Sequence, residues 1–261
     1  MSLSKEDYFK DESYLHSSQI KTYLDSKELY KLRYIDKNPD YQFEKSDAVI
    51  KGTIVDEILT EGKTKYAPKV LKNEDPELFE RQKANPEFVA TPAVWRDAML
   101  IVEQLPKHPI WNLLKERGDF QKIVEGEIGG VKMCGKLDSL VLDAGIFDLK
   151  VTNQMAGKNE HKWKWHCLDL SYHIPSFVYT FLEGNNLPFY HIAVWLENKI
   201  LEVKLYRVPQ SMIEQGAKDT LRAVEGIKNG DFEPELCSLD SAVEIPWLSG
   251  EVDVNEEEDE F

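Results

Sequence analysis

The spacing of apolar residues changes along the chain, and each change marks an element. Between residues 17 and 33, Ile20, Tyr23 and Leu24 and then Leu29, Tyr30 and Leu32 recur at helical spacing, with Ser17 and Ser18 placed to cap the first helix. Residues 48–60 form a strongly apolar helical run in which Gly52 would allow close approach of a neighbour. Residues 63–90 are polar and broken by Pro68, Pro76 and Pro86, which predicts an excursion with a short helix over Glu77–Lys83. Thr91-Pro92 reads as an N-cap followed by proline at the first helical position, with Trp95, Met99, Val102 and Leu105 as the apolar face. A shorter helix follows Pro109 and carries Ile110, Leu113 and Leu114.

From residue 120 the period falls to two, the spacing of a strand with one face buried. Residues 120–128 predict a strand, and Gly129-Gly130 a tight turn that sets Gln121 against Asp138, Glu125 against Cys134 and Glu127 against Lys132. A second hairpin flanks Asp143-Ala144-Gly145, with Leu142 against Ile146, Leu140 against Asp148 and Asp138 against Lys150. Alternation then places Asp138, Leu140, Asp148 and Lys150 on one face, beside Glu125 and Glu127. Leu137, Val141, Phe147 and Leu149 take the other. Residues 166–183 read as helical with a kink or restart at Pro175, followed by two strands joined by Glu197-Asn198-Lys199. Pro209 opens a long helix to about Asn229.

This order of elements predicts an α/β fold: a mixed sheet flanked by helices, with a helical N-terminal portion. No internal repeat is visible, and the expected division is one domain over residues 1–250 and an acidic disordered tail over 251–261. Residues 1–12 read as loose.

With 42% hydrophobic residues, the chain of 261 can bury one sizeable core. The formal net charge of −15 opposes contact with a polyanion, so any nucleic-acid path has to be locally basic. Cys134, Cys167 and Cys237 are scattered, which excludes a four-thiolate cluster and suits a reducing cytoplasm. No apolar run is long enough to cross a bilayer.

The chemistry concentrates in the second hairpin. Two carboxylates one strand spacing apart repel each other, and hard divalent ions that prefer oxygen ligands relieve that repulsion. A lysine beside them can hold a water or stabilise developing negative charge. The same residues also read as solvated charges on an exposed hairpin. The run after Lys150 contains Lys158, His161, Lys162, Trp163, Lys164 and Trp165, a basic and aromatic cluster suited to phosphates and base stacking. Its alternative is the start of a buried helix with solvated lysines.

In sequence order, Asp138 followed by Asp148-Leu149-Lys150 resembles the G-x-x-D…D-x-K signature of the PD-(D/E)xK nuclease superfamily, in its RecE-like and RecB-like phage exonuclease form. The opening helix and the segment Tyr172, His173 and Tyr179 extend the resemblance over roughly residues 17 to 205. It implies a restriction-endonuclease-like core and Mg²⁺-dependent DNA hydrolysis, with Mn²⁺ as an alternative ion. Asp138, Asp148 and Lys150 would be catalytic. Asp138, Asp148, the Leu149 carbonyl, Asp56 and Glu125 are the implied metal ligands. Thr152, Tyr172 and Tyr179 are the DNA contacts it implies, and the basic and aromatic run adds Lys158, Lys162, Trp163 and Lys164. Two positions depart from the pattern: Asp56 stands where relatives carry a histidine ligand, and Pro175 where they carry glutamine.

The resemblance further implies a phage-type recombination exonuclease acting on duplex ends in the cytoplasm of a bacterial host. Its implied partner is a single-strand annealing protein, and oligomeric assembly is left open. Two other readings remain at this level. One is a non-catalytic DNA-end-binding or recombination-accessory protein that keeps the fold. The other is an acidic interaction protein that merely shares it.

Overall fold

The computed structural model describes Tyr8 and residues 10–233. The expected loose start through residue 7, Cys237 and the acidic tail lie outside the described residues. The helical N-terminal portion runs through α1 (Ser17–Asp25) and α2 (Lys27–Tyr30), which continues as a π-helical turn over Lys31–Ile35, to α3 (Asp47–Glu61). Ser46 caps α3, its hydroxyl accepting from the Val49 N–H. The first helix is closed one residue earlier than expected: the His16 backbone N–H donates to Gln19 Oε1 at 2.8 Å.

The proline-broken excursion holds β1 (Ala67–Pro68), α4 (Pro76–Ala84) and β2 (Val89–Ala90), followed by α5 (Pro92–Gln104) and α6 (Pro109–Arg117). Thr91 caps α5 as its sequence predicts. The buried stripe of α5 is Val94, Ala98 and Ile101, leading to Leu105, rather than the stripe through Trp95 and Met99. The helix is therefore turned by about one residue, roughly 100°. Gly52 has no neighbour within 4 Å of where a Cβ would stand, so close packing does not explain it.

The sheet is formed by β3 (Asp119–Ile128), β4 (Val131–Val141), β5 (Gly145–Val151), β6 (Phe189–Glu197) and β7 (Ile200–Arg207), in that spatial order. All neighbours are antiparallel except β5 and β6. A parallel pair needs a crossover. Here it is α7 (Gln154–Lys158), α8 (Glu160–Asp169) and α9 (His173–Glu183). Pro175 lies in the first turn of α9, where its missing N–H has no helical acceptor to lose, so the helix restarts rather than kinks. The long helix α10 (Gln210–Asn229) closes the described chain.

Helices cover both faces. On one, α3, α5 and α6 pack Ile54, Val55, Ile101 and Trp111 against Val141, Phe147, Ile192 and Val194. On the other, Val124, Leu137, Leu140, Ile146 and Phe189 form a cluster joined by Tyr179 of α9 and by Met212 and Ile213 of α10. This two-sided cover makes the fold the restriction-endonuclease-like α/β architecture that the order of elements predicts.

The first hairpin has the expected register, with Glu125 opposite Cys134 and Glu127 opposite Lys132. The second is shifted by two residues: Leu140 pairs with Ile146, Ser139 with Phe147 and Val141 with Gly145. The pairing stops there and the strands diverge. Beyond the divergence Leu15 takes the vacated edge of β4, donating to the Lys132 carbonyl at 2.9 Å and accepting from the Cys134 N–H at 3.1 Å.

A candidate active site where two strands part

The fork between β4 and β5 gathers the acidic residues of the second hairpin. Asp148 is 5% exposed, and one of its oxygens lies 2.7 Å from the Lys150 ammonium. Leu140 and Ile146 share a cluster on the α9 and α10 side, and alternation puts Asp148 and Lys150 on that side too. Asp138 does not join them by alternation. It lines a small cavity on the opposite side with Asp56, Phe147, Leu149 and Ile192.

The cause is a break in both strands at one level. Gln121 has a φ of 56°, a left-handed conformation rare for residues other than glycine. Pairing is interrupted there, between Phe120–Ser139 and Lys122–Leu137. The expected common face for Asp138, Asp148 and Lys150 is thus corrected. The Asp138 carboxylate accepts the Leu149 N–H at 2.8 Å, which places it at the fork itself.

Electrostatics couples the two sides. Burial first, then repulsion from Asp56 and Asp148, pushes the Asp138 pKa well above the usual carboxylate range. Asp56 is raised as well, by burial, while Lys136 and the Gln121 amide favour its charged form. That amide reaches both Asp56 oxygens, at 3.0 and 3.2 Å. Burial disfavours the Lys150 ammonium, but Asp148, Tyr172 and Asp138 outweigh it and raise its pKa. Lys150 is therefore a cation at neutral pH.

Among the described residues, no three His, Cys, Asp or Glu side chains are already gathered in ligand geometry. The donor set nevertheless fits a hard divalent ion. Asp56, Asp138 and Asp148 supply oxygens, and the repulsion that raises Asp138 is the kind a cation removes. The cavity shared by Asp56 and Asp138, about 10 Å³, has room for one water-sized body.

Glu125 is not brought to this site. Its carboxylate accepts from the Tyr14 hydroxyl at 3.1 Å. It sits opposite Cys134, four residues along β4 from Asp138, or roughly 13 Å at strand rise.

Two of the expected DNA contacts are buried and a third is ion-paired. Trp163 is 4% exposed and stacks on Tyr206, with centroids 4.9 Å apart. The buried-helix reading therefore applies to Trp163, because α8 presents it to the sheet. Thr152 is also buried, its hydroxyl 3.3 Å from His166 Nε2. Lys158 is paired with Glu197 at 2.9 Å. Lys162, Lys164 and Trp165 remain exposed. Trp163→Ala is expected to cost about 3–5 kcal/mol of stability. Trp165→Ala should stay within about 0.5 kcal/mol of wild type, and denaturant melts of the two variants compare them directly.

Tyr172 does reach the site: the Lys150 ammonium lies 4.8 Å from its ring centroid. Tyr179 lies over Gly135, where a Cβ would stand 2.6 Å from its ring, and burial pushes its pKa up to about 12. His173 is tied to Asp219 of α10 at 3.2 Å and serves packing.

Three residues near the fork carry no motif of their own. Gln121 interrupts a strand and holds Asp56. His191 Nε2 lies 3.8 Å from Asp148, and burial lowers its pKa to about 4, so a neutral ring walls the site. Lys21 of α1 reaches the ring of Tyr172. A histidine amid the apolar strand of residues 189–195 is the one signal of the three visible in the sequence.

A five-stranded mixed sheet that parts at its centre around an aspartate and a D-x-K strand defines a PD-(D/E)xK-type protein. The family model described as a PDDEXK-like domain of unknown function (DUF3799) matches residues 16–242, and the chain belongs to that family. Nucleases of this superfamily generally use divalent metals. Among solved structures, the fold is shared with a candidate exonuclease from Eubacterium rectale. The TM-score is 0.65 at 22% identity, covering 95% of this chain and 97% of that one. The protein SSO0001 aligns at a TM-score of 0.33 and 13% identity, over 80% of this chain and 87% of its own, too distant to carry an argument. No curated protein matches. Among the described residues, no helix is long and apolar enough to cross a membrane.

Proposed function

We propose that this protein is a divalent-metal-dependent deoxyribonuclease that acts from duplex ends, as in phage-type recombination, with Mg²⁺ as its ion and Mn²⁺ as a substitute. The observation that carries this reading is the meeting of Asp138, Asp148 and Lys150 at the fork. A partner that only bound DNA would have no need of this set together.

In the reaction, a water oxygen bonds to phosphorus, the bond from phosphorus to the departing sugar oxygen breaks, and that oxygen takes up a proton as the water loses one. A divalent ion, when bound, supplies charge stabilisation at the phosphoryl oxygens. Asp138 and Asp148 would hold it, with the Leu149 carbonyl and Asp56. Lys150 serves as a hydrogen-bond donor and a positive charge, because its raised pKa keeps it an ammonium and not a base. His191, neutral and buried, borders Asp148 and keeps water from that side. The recombination role implies a single-strand annealing protein as partner.

End-labelled linear DNA and closed circular DNA, each incubated with and without Mg²⁺, test the reading. Metal-dependent loss of label from the linear substrate alone is the expected result. Cutting of the circle would remove the exonuclease assignment, and an intact linear substrate in both Mg²⁺ and Mn²⁺ would remove the enzymatic one. The second reading, a non-catalytic end-binding protein, draws on Asp56 and on an apolar Pro175, the two departures from the pattern of the resembling nucleases.

A further inference from the structure

Lys21 projects from α1 to the same tyrosine that flanks Lys150. The Lys21 ammonium lies 5.3 Å from the Tyr172 ring centroid, and the Lys150 ammonium lies 4.8 Å from it. Lys21 donates to the Leu170 carbonyl at 2.8 Å, in the turn that separates α8 from α9. An ammonium has three donors, so this bond leaves others for a second acceptor. Lys150 already has Asp148 as its counter-ion at 2.7 Å. Among the described residues, no carboxylate stands within ion-pair distance of Lys21. Two ammoniums thus flank one ring; Asp148 pairs with Lys150, whereas Asp148 and Asp25 act on Lys21 only from beyond ion-pair distance, which leaves Lys21 open to an anion. Burial, then repulsion from Lys150, lowers the Lys21 pKa to about 8 against the smaller opposing pull of Asp148 and Asp25, and a bound anion would favour the charged form further.

We propose that Lys21 binds a backbone phosphate of the DNA next to the one held at Lys150, with Tyr172 as the spacer between the two. This rests on the nuclease reading for the identity of the anion. It assigns the N-terminal helix a direct part in holding substrate, and it lets an acidic chain present a locally positive path. Asp56 and Asp138 line a cavity at the fork, and Asp148 is paired with Lys150.

The test is equilibrium binding of a labelled linear duplex in EDTA, where binding is read without cleavage, over a series of salt concentrations. Lys21→Met keeps the aliphatic stem and removes the charge; Lys21→Arg restores the charge. One lost phosphate contact lowers the log–log salt slope by about 0.9, which is about tenfold in affinity at about 50 mM salt. Lys21→Met is expected to show both changes and Lys21→Arg neither, with unchanged far-ultraviolet circular dichroism. A merely structural role would weaken binding without moving the slope. Wild-type affinity and slope in Lys21→Met overturn this inference alone. A wild type that binds no DNA at any salt overturns it together with the nuclease reading.

Discussion

Lys150→Ala is expected to lower DNA cleavage by about 10²-fold or more while the protein remains folded. The size follows from the role: one preorganised donor at developing charge is worth about that much. The side chain is 20% exposed and lies at the edge of the core, so truncating it opens little cavity. Its loss also leaves Asp148 without its ion-pair partner. Metal affinity should therefore hold or rise even as turnover disappears. Calorimetry with Mn²⁺ and a cleavage assay on one preparation separate the two effects. Turnover within threefold of wild type would remove Lys150 from the mechanism.

The second large effect separates stability from activity. Asp138 carries a pKa raised by burial and by Asp56 and Asp148, so its charged form is disfavoured in the folded, metal-free protein. A carboxyl whose folded pKa exceeds its unfolded value, about 3.9, binds more protons when folded. Its contribution to stability is greatest at low pH and is lost as pH rises through the folded pKa. At neutral pH the ionised group opposes folding. Asp138→Asn removes that cost and keeps an acceptor for the Leu149 N–H. In EDTA the variant should melt a few degrees higher than wild type, about what 1 kcal/mol gives in a chain of this size. It should also lose the Mg²⁺-dependent cleavage and the rise in melting temperature on adding metal that are expected of wild type. The gain in EDTA should shrink as pH falls toward about 4. A variant that melts lower than wild type across that range would show that Asp138 supports the fold rather than opposing it.

The sequence and the structure agree most closely where one local rule decides. Two glycines fix a two-residue turn, so the register of β3 against β4 was legible down to the pairing of Glu125 with Cys134. Pro175 cannot continue a helix from the preceding turn, so a restart was legible. Trp163 was not. Basic neighbours made it resemble a DNA-facing residue, but the helix turns it onto Tyr206, and only the packing of α8 on β6 and β7 selects that side.

By itself, then, the sequence determined the order of elements, the strand that carries Asp148 and Lys150, and the presence of Asp138 one turn upstream. These follow from periodicity, turn chemistry and spacing, which act over a few residues. The tertiary structure alone decided how those residues meet. Alternation predicts a shared face only while the pleat is regular, and the left-handed Gln121 opposite Asp138 breaks it. Asp138 then reaches the fork from the side of α3, where Asp56 accepts from the amide of Gln121, 65 residues away, and lines the same cavity as Asp138. Lys21 arrives at Tyr172 from 149 residues before Leu170. Contacts of that range depend on which helix packs on which face of the sheet, and no local pattern in the chain encodes it.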